Sequence, residues 1–299
     1  MKDMTTKAEE SISRVILIGP ALLLYLFVMA FPVVFSVALS LTNYSGGRVF
    51  GNTDFSFIGL KSYRAIFVDN YFYLSFKNNI WIVLVSVFGQ IPLGFFLAYV
   101  LSRGLVKRTD FFQTVIYMPA VVSPVIIGIL FNKFFLSANS IWLEIQQMIN
   151  PAAEFIAGKN PMGPVLVVIL WMYTGTYVII FLANLQKIDP AIIEASRIDG
   201  ATEMQTLRFI VLPALSGVIV TCAILAISGS LKSFDLVYVM TQGGPAHRTS
   251  LLAFYMYEKA FRGAPNYPVA NAISTVMMII SFILIAITRI LERRFAQEE

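Results

Sequence analysis

Six long apolar runs without a charged residue constrain the fold of this chain more than any other feature. Each has about 20 residues or more, the length that a helix needs to cross roughly 30 Å of hydrocarbon. The runs are Val15–Leu41, Ile80–Ser102, Phe111–Asn132, Pro161–Gln186, Phe209–Leu231 and Gly263–Thr288. A backbone surrounded by lipid must satisfy its own hydrogen bonds, and a helix does so within one segment. The sequence therefore predicts an all-α integral membrane protein with six transmembrane helices.

The balance of residue types supports this class. Hydrophobic residues make up 58% of the chain and charged residues only 13%, whereas soluble domains are about 25% charged. So few charges could not cover the apolar surface of a soluble fold. The net charge of +5 comes without a basic stripe interleaved with exposed aromatic residues, so it gives no indication of nucleic-acid binding.

The first run raises the question of a cleaved leader, because Lys2, Lys7 and Arg14 precede it as in a secretory signal. The run is longer than a signal's apolar region and has no convincing cleavage site. We therefore expect a retained first span, with an amino-terminal segment 1–14, a membrane domain 15–290 and a tail 291–299. Basic residues are denser in the connections on the side of the two termini, which predicts that both termini are cytoplasmic.

Three chemical functions find no support in the sequence. Cys222 and His247 are the only residues of their types, so neither an internal disulfide nor a cysteine–histidine metal site is expected. A phosphate-binding loop needs Gly-Lys followed by Ser or Thr, but Gly158-Lys159 is followed by asparagine. We expect no cofactor in this chain and no ATP hydrolysis by it.

Between the fourth and fifth runs lies a charged stretch, Asp189–Pro213, which we call the elbow. Asp189 and Pro190 are typical of a helix start, as N-cap and first helical residue. We expect this helix to include a Glu194–Arg197 ion pair at spacing i,i+3 and to stop at Gly200.

A second helix is predicted to follow in the elbow. Thr202 and Gln205 have the spacing of a capping box. We expect Leu212-Pro213 to end this helix, because the residue before a proline resists the α conformation. A simple connection needs only a few residues, so two capped helices indicate a docking element.

The elbow resembles the EAA loop of permease subunits of ATP-binding cassette importers. The resemblance rests on Glu194-Ala195-Ser196, on Gly200 and on the spacing to Leu212-Pro213; Ser196 departs from the usual alanine. The form EASRIDGAT is similar to that of carbohydrate importers of the maltose-permease type. Stretches 20–44, 111–124 and 234–249 are similar to the first permease subunit of that family.

This resemblance implies a type I importer permease fold with cytoplasmic coupling (EAA) helices, a core of about 75–288 and an EAA loop at 189–213. It implies several partners: a dimer of ATPase subunits that holds ATP and magnesium, a second permease of different sequence, and an extracytoplasmic solute-binding protein. The location would be the inner membrane of a prokaryote and the substrate a sugar or oligosaccharide. The implied ATPase-coupling residues are Glu194, Ala195, Ser196, Arg197, Asp199, Gly200 and Ala201.

Candidate substrate-pathway residues lie in the fourth span and near the end of the fifth. Sugars are held by hydrogen-bonding groups beside aromatic faces in otherwise apolar pockets. The candidates are Trp171, Tyr173, Thr176, Tyr177, Ser230 and Ser233. Four of them, Tyr173, Thr176, Ser230 and Ser233, occupy places that resemble substrate-facing positions of the family. Helix packing is the alternative role for each of the six.

Two other functions remain open at this stage. An ion-coupled secondary transporter commonly uses carboxylates or histidines within its spans, and the six runs contain none. A membrane-embedded enzyme would need a nucleophile–base pair or a metal cluster. Neither alternative accounts for the elbow.

Overall fold

The computed structural model describes residues 16–46, 56–104, 106–137, 140–150 and 160–295, with side chains to residue 290. Within these ranges the chain is helical apart from its connections and one isolated antiparallel bridge, Thr42–Phe57. The helices are α1 Ile16–Ser40, α2 Lys61–Val68, α3 Asn70–Ser102, α4 Thr109–Val121, α5 Pro124–Phe131, α6 Ile141–Ile149, α7 Met162–Leu185, α8 Pro190–Ile198, α9 Glu203–Ala214, α10 Ser216–Lys232, α11 Asp235–Met240, α12 Leu252–Phe261 and α13 Tyr267–Phe295. The predicted segment 1–14, Gly158-Lys159 and the last four residues of the tail lie outside the described residues.

Five segments of the described chain are long and apolar enough to cross a membrane, and the bent pair α9–α10 makes a sixth. Four of them, α1, α3, α7 and α13, overlap predicted spans, although α3 begins ten residues before the predicted second run. The pair α9–α10 covers the predicted fifth span, with a bend of 66° between the two helices. The prediction of an all-α membrane fold is confirmed.

The predicted third span, Phe111–Asn132, is wrong as one continuous helix. Its sequence forms α4 and α5, with extended backbone at Val122 and Ser123 between them. Ser123 precedes Pro124, and the proline ring disfavours the α conformation in the residue before it. In this region, the segment that is long and apolar enough to cross a membrane is Pro124–Ile149. It begins 13 residues after the start of the predicted span.

Wide π-helical turns adjoin three prolines in the long helices. Leu26–Ala30, Ser86–Gln90 and Leu207–Val211 are π turns, and each ends two residues before a proline. A proline ring clashes with the carbonyl four residues earlier, and in all three cases that carbonyl belongs to the π turn. The wide turn gives the ring room, so the helix continues through the proline.

The chain divides into two compact units, one of residues 1–68 and 256–276 and the other of residues 69–255 and 277–299. In the first unit, the Ser36 hydroxyl donates to the Asn271 Oδ1 at 2.6 Å. In the second unit, α7 passes close to both α3 and α4. A Cβ on Gly94 would lie 2.7 Å from the Tyr177 Cβ, and one on Gly175 would lie 2.9 Å from the Tyr117 Cα. These two glycines therefore allow the close helix packing of the second unit.

Candidate functional site: an exposed elbow and a polar cavity

The first helix of the elbow, α8, begins and ends as the sequence predicts. The Asp189 carboxylate accepts a hydrogen bond from the Ala191 N–H at 2.9 Å, and Pro190 is the first helical residue. At the other end, Gly200 has a φ of +81°. The Gly200 N–H donates to the Arg197 carbonyl at 3.1 Å and the Ala201 N–H to the Ser196 carbonyl at 2.9 Å. This pair of bonds closes the helix in the left-handed cap that glycine favours.

The second helix, α9, begins with the predicted capping box. The Gln205 N–H donates to the Thr202 hydroxyl at 3.3 Å, and the Thr202 N–H donates to the Gln205 side-chain oxygen at 2.8 Å. The predicted end at Leu212-Pro213 is wrong, because Leu212 is helical and the chain bends only at Leu215. The π turn before Pro213 removes the clash that would have ended the helix.

The charged side chains of the elbow pair differently from the prediction. The Arg197 guanidinium lies 2.8 Å from the Glu203 carboxylate, so the predicted Glu194–Arg197 pair is wrong. Glu203 also pairs with a second cation, Arg103, at 3.1 Å, so its carboxylate lies between two arginines. The hydrogen bond from Arg197 is the main reason that the pKa of Glu203 is lowered, and the nearby Arg103 charge adds to the effect.

The predicted coupling residues divide into exposed and buried groups. Glu194, Ala195, Arg197, Asp199 and Gly200 are exposed, and Ala201 is half-buried. Ser196 is buried, and its hydroxyl lies 3.2 Å from the Thr206 hydroxyl. Ser196 therefore joins α8 to α9, and its coupling role stays a prediction.

Apolar side chains accompany the carboxylates on the exposed face of the elbow. Ile198 and Met204 are 86% and 70% exposed. Large apolar side chains rimmed by charges are typical of a protein-binding surface.

A cavity of about 310 Å³ lies within the second unit, between α3, α7 and α10. Its size is within the range of about 300–1,000 Å³ that is usual for ligand sites. The lining residues are Ile82, Ser86, Gln90, Ile169, Tyr173, Thr176, Tyr177, Leu225, Ala226, Gly229, Ser230, Lys232, Ser233, Phe234, Asp235 and Leu236. Hydroxyl and amide groups, together with the charged Lys232 and Asp235, thus face a space whose other walls are apolar or aromatic.

Five of the six predicted pathway residues line this cavity. They are Tyr173, Thr176, Tyr177, Ser230 and Ser233. Trp171 does not line it, and its ring instead packs edge-on against Phe131, with centroids 5.4 Å apart. Residues 171 and 173 differ by about 200° around a helix, so they face different sides.

The sequence prediction missed the wall formed by α3. The Gln90 amide donates to the Ile169 carbonyl at 2.7 Å, and the Ser230 hydroxyl donates to the Ser86 hydroxyl at 3.0 Å. Nearby, the Asn79 amide donates to the Ser230 carbonyl at 3.0 Å. Polar side chains within an apolar span were the available signal, because such groups usually face the helix bundle.

The described residues contain no group of three or more histidine, cysteine, aspartate or glutamate side chains that could hold a metal ion. Cys222 is buried in α10. The geometry therefore consists of a surface suited to a partner and a cavity suited to a polar molecule.

A family model for the binding-protein-dependent transport system inner membrane component matches residues 90–297. The chain belongs to this family. Its members are membrane-spanning permease subunits rather than enzymes, and ATP hydrolysis resides in a separate subunit. The permease is accordingly an integral inner-membrane protein, and the family resemblance predicted from the elbow is confirmed.

Curated relatives cover nearly the whole permease. A probable ABC transporter permease protein of Bacillus subtilis (strain 168) is 31% identical over 89% of this chain and 90% of its own length. The lactose transport system permease protein LacF of Rhizobium radiobacter is 30% identical over 94% of this chain and 96% of its own. The multiple sugar-binding transport system permease protein MsmF of Streptococcus mutans is 30% identical over 94% of both chains.

The fold of the permease also resembles a solved structure. A chain of a bacterial ABC transporter involved in the import of the acidic polysaccharide alginate superimposes with a TM-score of 0.78, at 20% identity. The likeness covers 96% of this chain and 99% of that chain. It confirms the predicted type I importer permease fold.

Proposed function

We propose that this permease forms half of the translocation pathway of an ATP-driven, binding-protein-dependent importer of a sugar or oligosaccharide. The main support for the proposal is the capped elbow. It occurs in a member of this permease family, and the same chain also contains a polar cavity. Residues 15–290 would form the membrane domain, with a core of about 75–288. The amino-terminal segment 1–14 and the tail 291–299 would lie in the cytoplasm.

Two observations support a carbohydrate substrate. The relatives LacF and MsmF are named for lactose and for multiple sugars. The cavity combines the hydroxyls of Thr176 and Ser233 with the rings of Tyr173, Tyr177 and Phe234. Hydroxyl groups that fix orientation beside aromatic faces suit a ligand with many hydroxyls and apolar ring faces.

The elbow supplies the contact with the motor. The exposed Glu194 carboxylate and the apolar side chains of Ile198 and Met204 suit a cleft of an ATPase subunit. ATP and magnesium would be held in a dimer of those subunits. A second permease would complete the pathway, and an extracytoplasmic solute-binding protein would deliver the sugar.

The proposed orientation places both termini and the elbow in the cytoplasm. In a Cys222→Ala background, a cysteine at Gln205 should resist an impermeant thiol reagent added to intact cells. A cysteine at Lys61, which is exposed at the start of α2 and outside the membrane-crossing segments, should react. Labelling at position 205 from outside would reverse the orientation.

Reconstitution tests the function as a whole. Vesicles that hold this permease with its second permease, its ATPase and its binding protein should take up a labelled disaccharide only when ATP is supplied. Glu194→Lys should still insert, because it lies outside the spans, but it should lower uptake and binding-protein-stimulated ATP hydrolysis together. Uptake that follows an ion gradient without ATP would refute the proposal.

A single cavity variant tests the pathway. A Cβ on Gly229 would meet no atom within 4 Å, so Gly229→Leu should fill the cavity without disturbing the helices. Uptake should fall at least tenfold, whereas Thr221→Leu on the exposed face of α10 should leave uptake unchanged. Normal uptake by Gly229→Leu would remove the cavity from the pathway.

A further inference from the structure

One continuous helix, α3, forms part of the cavity wall and ends beside the elbow. Ser86 and Gln90 of α3 line the cavity, and Tyr99 lies in the last turns of the same helix. From Gln90 to Tyr99 the helix rises about 14 Å. A displacement at the Tyr99 end is therefore transmitted to the cavity by a hydrogen-bonded helix.

Polar contacts join that end of α3 to the elbow. The Tyr99 hydroxyl donates to the Glu203 carboxylate at 3.1 Å, and the Arg103 guanidinium lies 3.1 Å from the same oxygen. The guanidinium also donates to the Tyr99 hydroxyl at 2.9 Å and lies over the Tyr99 ring, 5.0 Å from its centroid. The Arg103 side chain is only 16% exposed, and contacts with the Tyr99 ring, the Tyr99 hydroxyl and Glu203 hold it in place.

Glu203 is in turn fixed to both helices of the elbow. It is the first residue of α9, and Arg197 of α8 binds its other carboxylate oxygen at 2.8 Å. The Ser196–Thr206 hydroxyl contact at 3.2 Å joins α8 to α9 a second time. Contacts thus lead from α8 through α9 to α3 without a gap.

We propose that Glu203 is a positioning residue that ties the elbow to α3 through Tyr99 and Arg103, so that movement of the elbow displaces the cavity wall. The proposal rests on the proposed docking of the elbow to an ATPase. It adds a path that bypasses the bend at Leu215, where the elbow also continues into α10. Glu203 acts through Tyr99 and Arg103 and needs no contact with ATPase or sugar.

A distance measurement tests the link without reference to transport. Ser102 and Arg208 are exposed at the end of α3 and on α9, so both can carry spin labels in a Cys222→Ala background. In the assembled importer, the distance between the labels should stay narrow and equal with and without ATP. In Glu203→Gln and in Tyr99→Phe, which keeps the ring beneath Arg103, the distribution should broaden. An unchanged distribution in both variants would overturn the proposal.

Measurements of uptake per ATP distinguish the positioning role of Glu203 from the docking of the elbow to the ATPase. Glu203→Gln should copurify with the ATPase as wild type does and keep stimulated ATP hydrolysis, but uptake per ATP should fall about three- to fivefold, the size expected for partly exposed ion pairs. Arg103→Gln should produce the same loss, and the double variant should be no worse than either single variant. Additive losses would mean that the two residues act separately.

A matched ion pair provides the control. Glu258 of α12 and Arg262, the residue after α12, form a partly exposed pair at 3.3 Å, away from the elbow in sequence. Glu258→Gln should leave uptake per ATP unchanged. A failure of docking would appear as loss of copurification, as expected for Glu194→Lys, whereas failure of the Glu203 link would leave copurification intact.

Discussion

The elbow and the cavity are both polar regions, but their contacts lie in different surroundings. In the elbow, Arg197 and Glu203 pair while the side chains are 57% and 59% exposed. At the cavity, Gln90, Ser86 and Ser230 form their hydrogen bonds almost fully buried. Breaking a solvent-exposed ion pair costs little free energy, because water replaces the partner. A buried polar group that loses its partner destabilises the fold by its desolvation free energy. The elbow is suited to engage and release a partner, and the cavity wall is suited to keep its shape.

The largest expected effect comes from the closest backbone contact in the buried region. Gly175→Ala places a Cβ against the Ile116 carbonyl and 2.9 Å from the Tyr117 Cα, so α4 and α7 must separate. Overpacking of this kind costs about 1–3 kcal/mol. Thermal unfolding in detergent should show a clear loss of stability.

The same substitution at Gly229 is the control for Gly175→Ala. Gly229 is also within a helix, but its Cβ would enter open space. Gly229→Ala should be neutral or stabilise by up to about 1 kcal/mol, since alanine favours the helix. Equal losses in the two variants would show that the close approach at Gly175 does not govern stability.

In the elbow, the largest effect is expected at Gly200. A valine there would have to adopt the observed φ of +81°, which costs a side-chain-bearing residue about 1–2 kcal/mol. Gly200→Val should lower stimulated ATP hydrolysis and uptake while the chain still inserts. Gly200→Asn should keep most activity, because asparagine tolerates this conformation. If both variants behave as wild type, the elbow does not require its bend.

Much of the elbow was predictable from sequence because its signals are local. Asp189, Gly200 and the Thr202–Gln205 capping box each act within a few residues. The pairing of Arg197 with Glu203 was not predicted. Glu203 also pairs with Arg103, and that contact could not be foreseen because Arg103 is distant in sequence. The break at Val122–Ser123 was not predicted for another reason. Apolar composition gives the length of an apolar run but does not show whether the helix within it is continuous.

The cavity was only partly predictable because it is assembled from distant segments. Hydroxyl and aromatic residues on α7 and α10 were recognisable as candidates. Which face of α7 meets α3 depends on the packing around Gly94. Trp171 therefore faces away from the cavity although it lies two residues from Tyr173, and Gln90 was missed. A pathway role for Trp171 stays a prediction.

A smaller effect is expected where the elbow has a buried contact. Ser196→Ala would remove the hydroxyl beside Thr206 and should cost about 0.5–1.5 kcal/mol. Since alanine is usual at this position of the EAA loop, uptake should stay close to that of wild type. A loss of uptake as large as that of Gly200→Val would assign Ser196 a role beyond joining the two helices.

The smallest stability effect is expected for Glu203→Gln, at less than about 1 kcal/mol for an exposed pair. The pKa of Glu203 is lowered in the folded chain from 4.5. Its contribution is therefore fully present at neutral pH and is lost as the pH falls through the lowered value. Melting curves of wild type and variant should differ slightly at pH 7 and converge in acid. A difference in melting temperature between wild type and variant that grows in acid would contradict the expected direction of the pH dependence.

The two glycine contacts of α7 also limit how the permease can deform. Gly94 and Gly175 bring α3 and α4 against the backbone of α7 at nearly the same level, at Tyr177 and at Gly175 itself. A rotation or translation of α7 against either neighbour would drive backbone atoms into one another. The three helices therefore behave as a single rigid block. The third wall of the cavity, α10, meets this block through side-chain hydrogen bonds and the open space beside Gly229. A change in cavity shape therefore requires α10, or α11 with its lining residues Asp235 and Leu236, to move against this block.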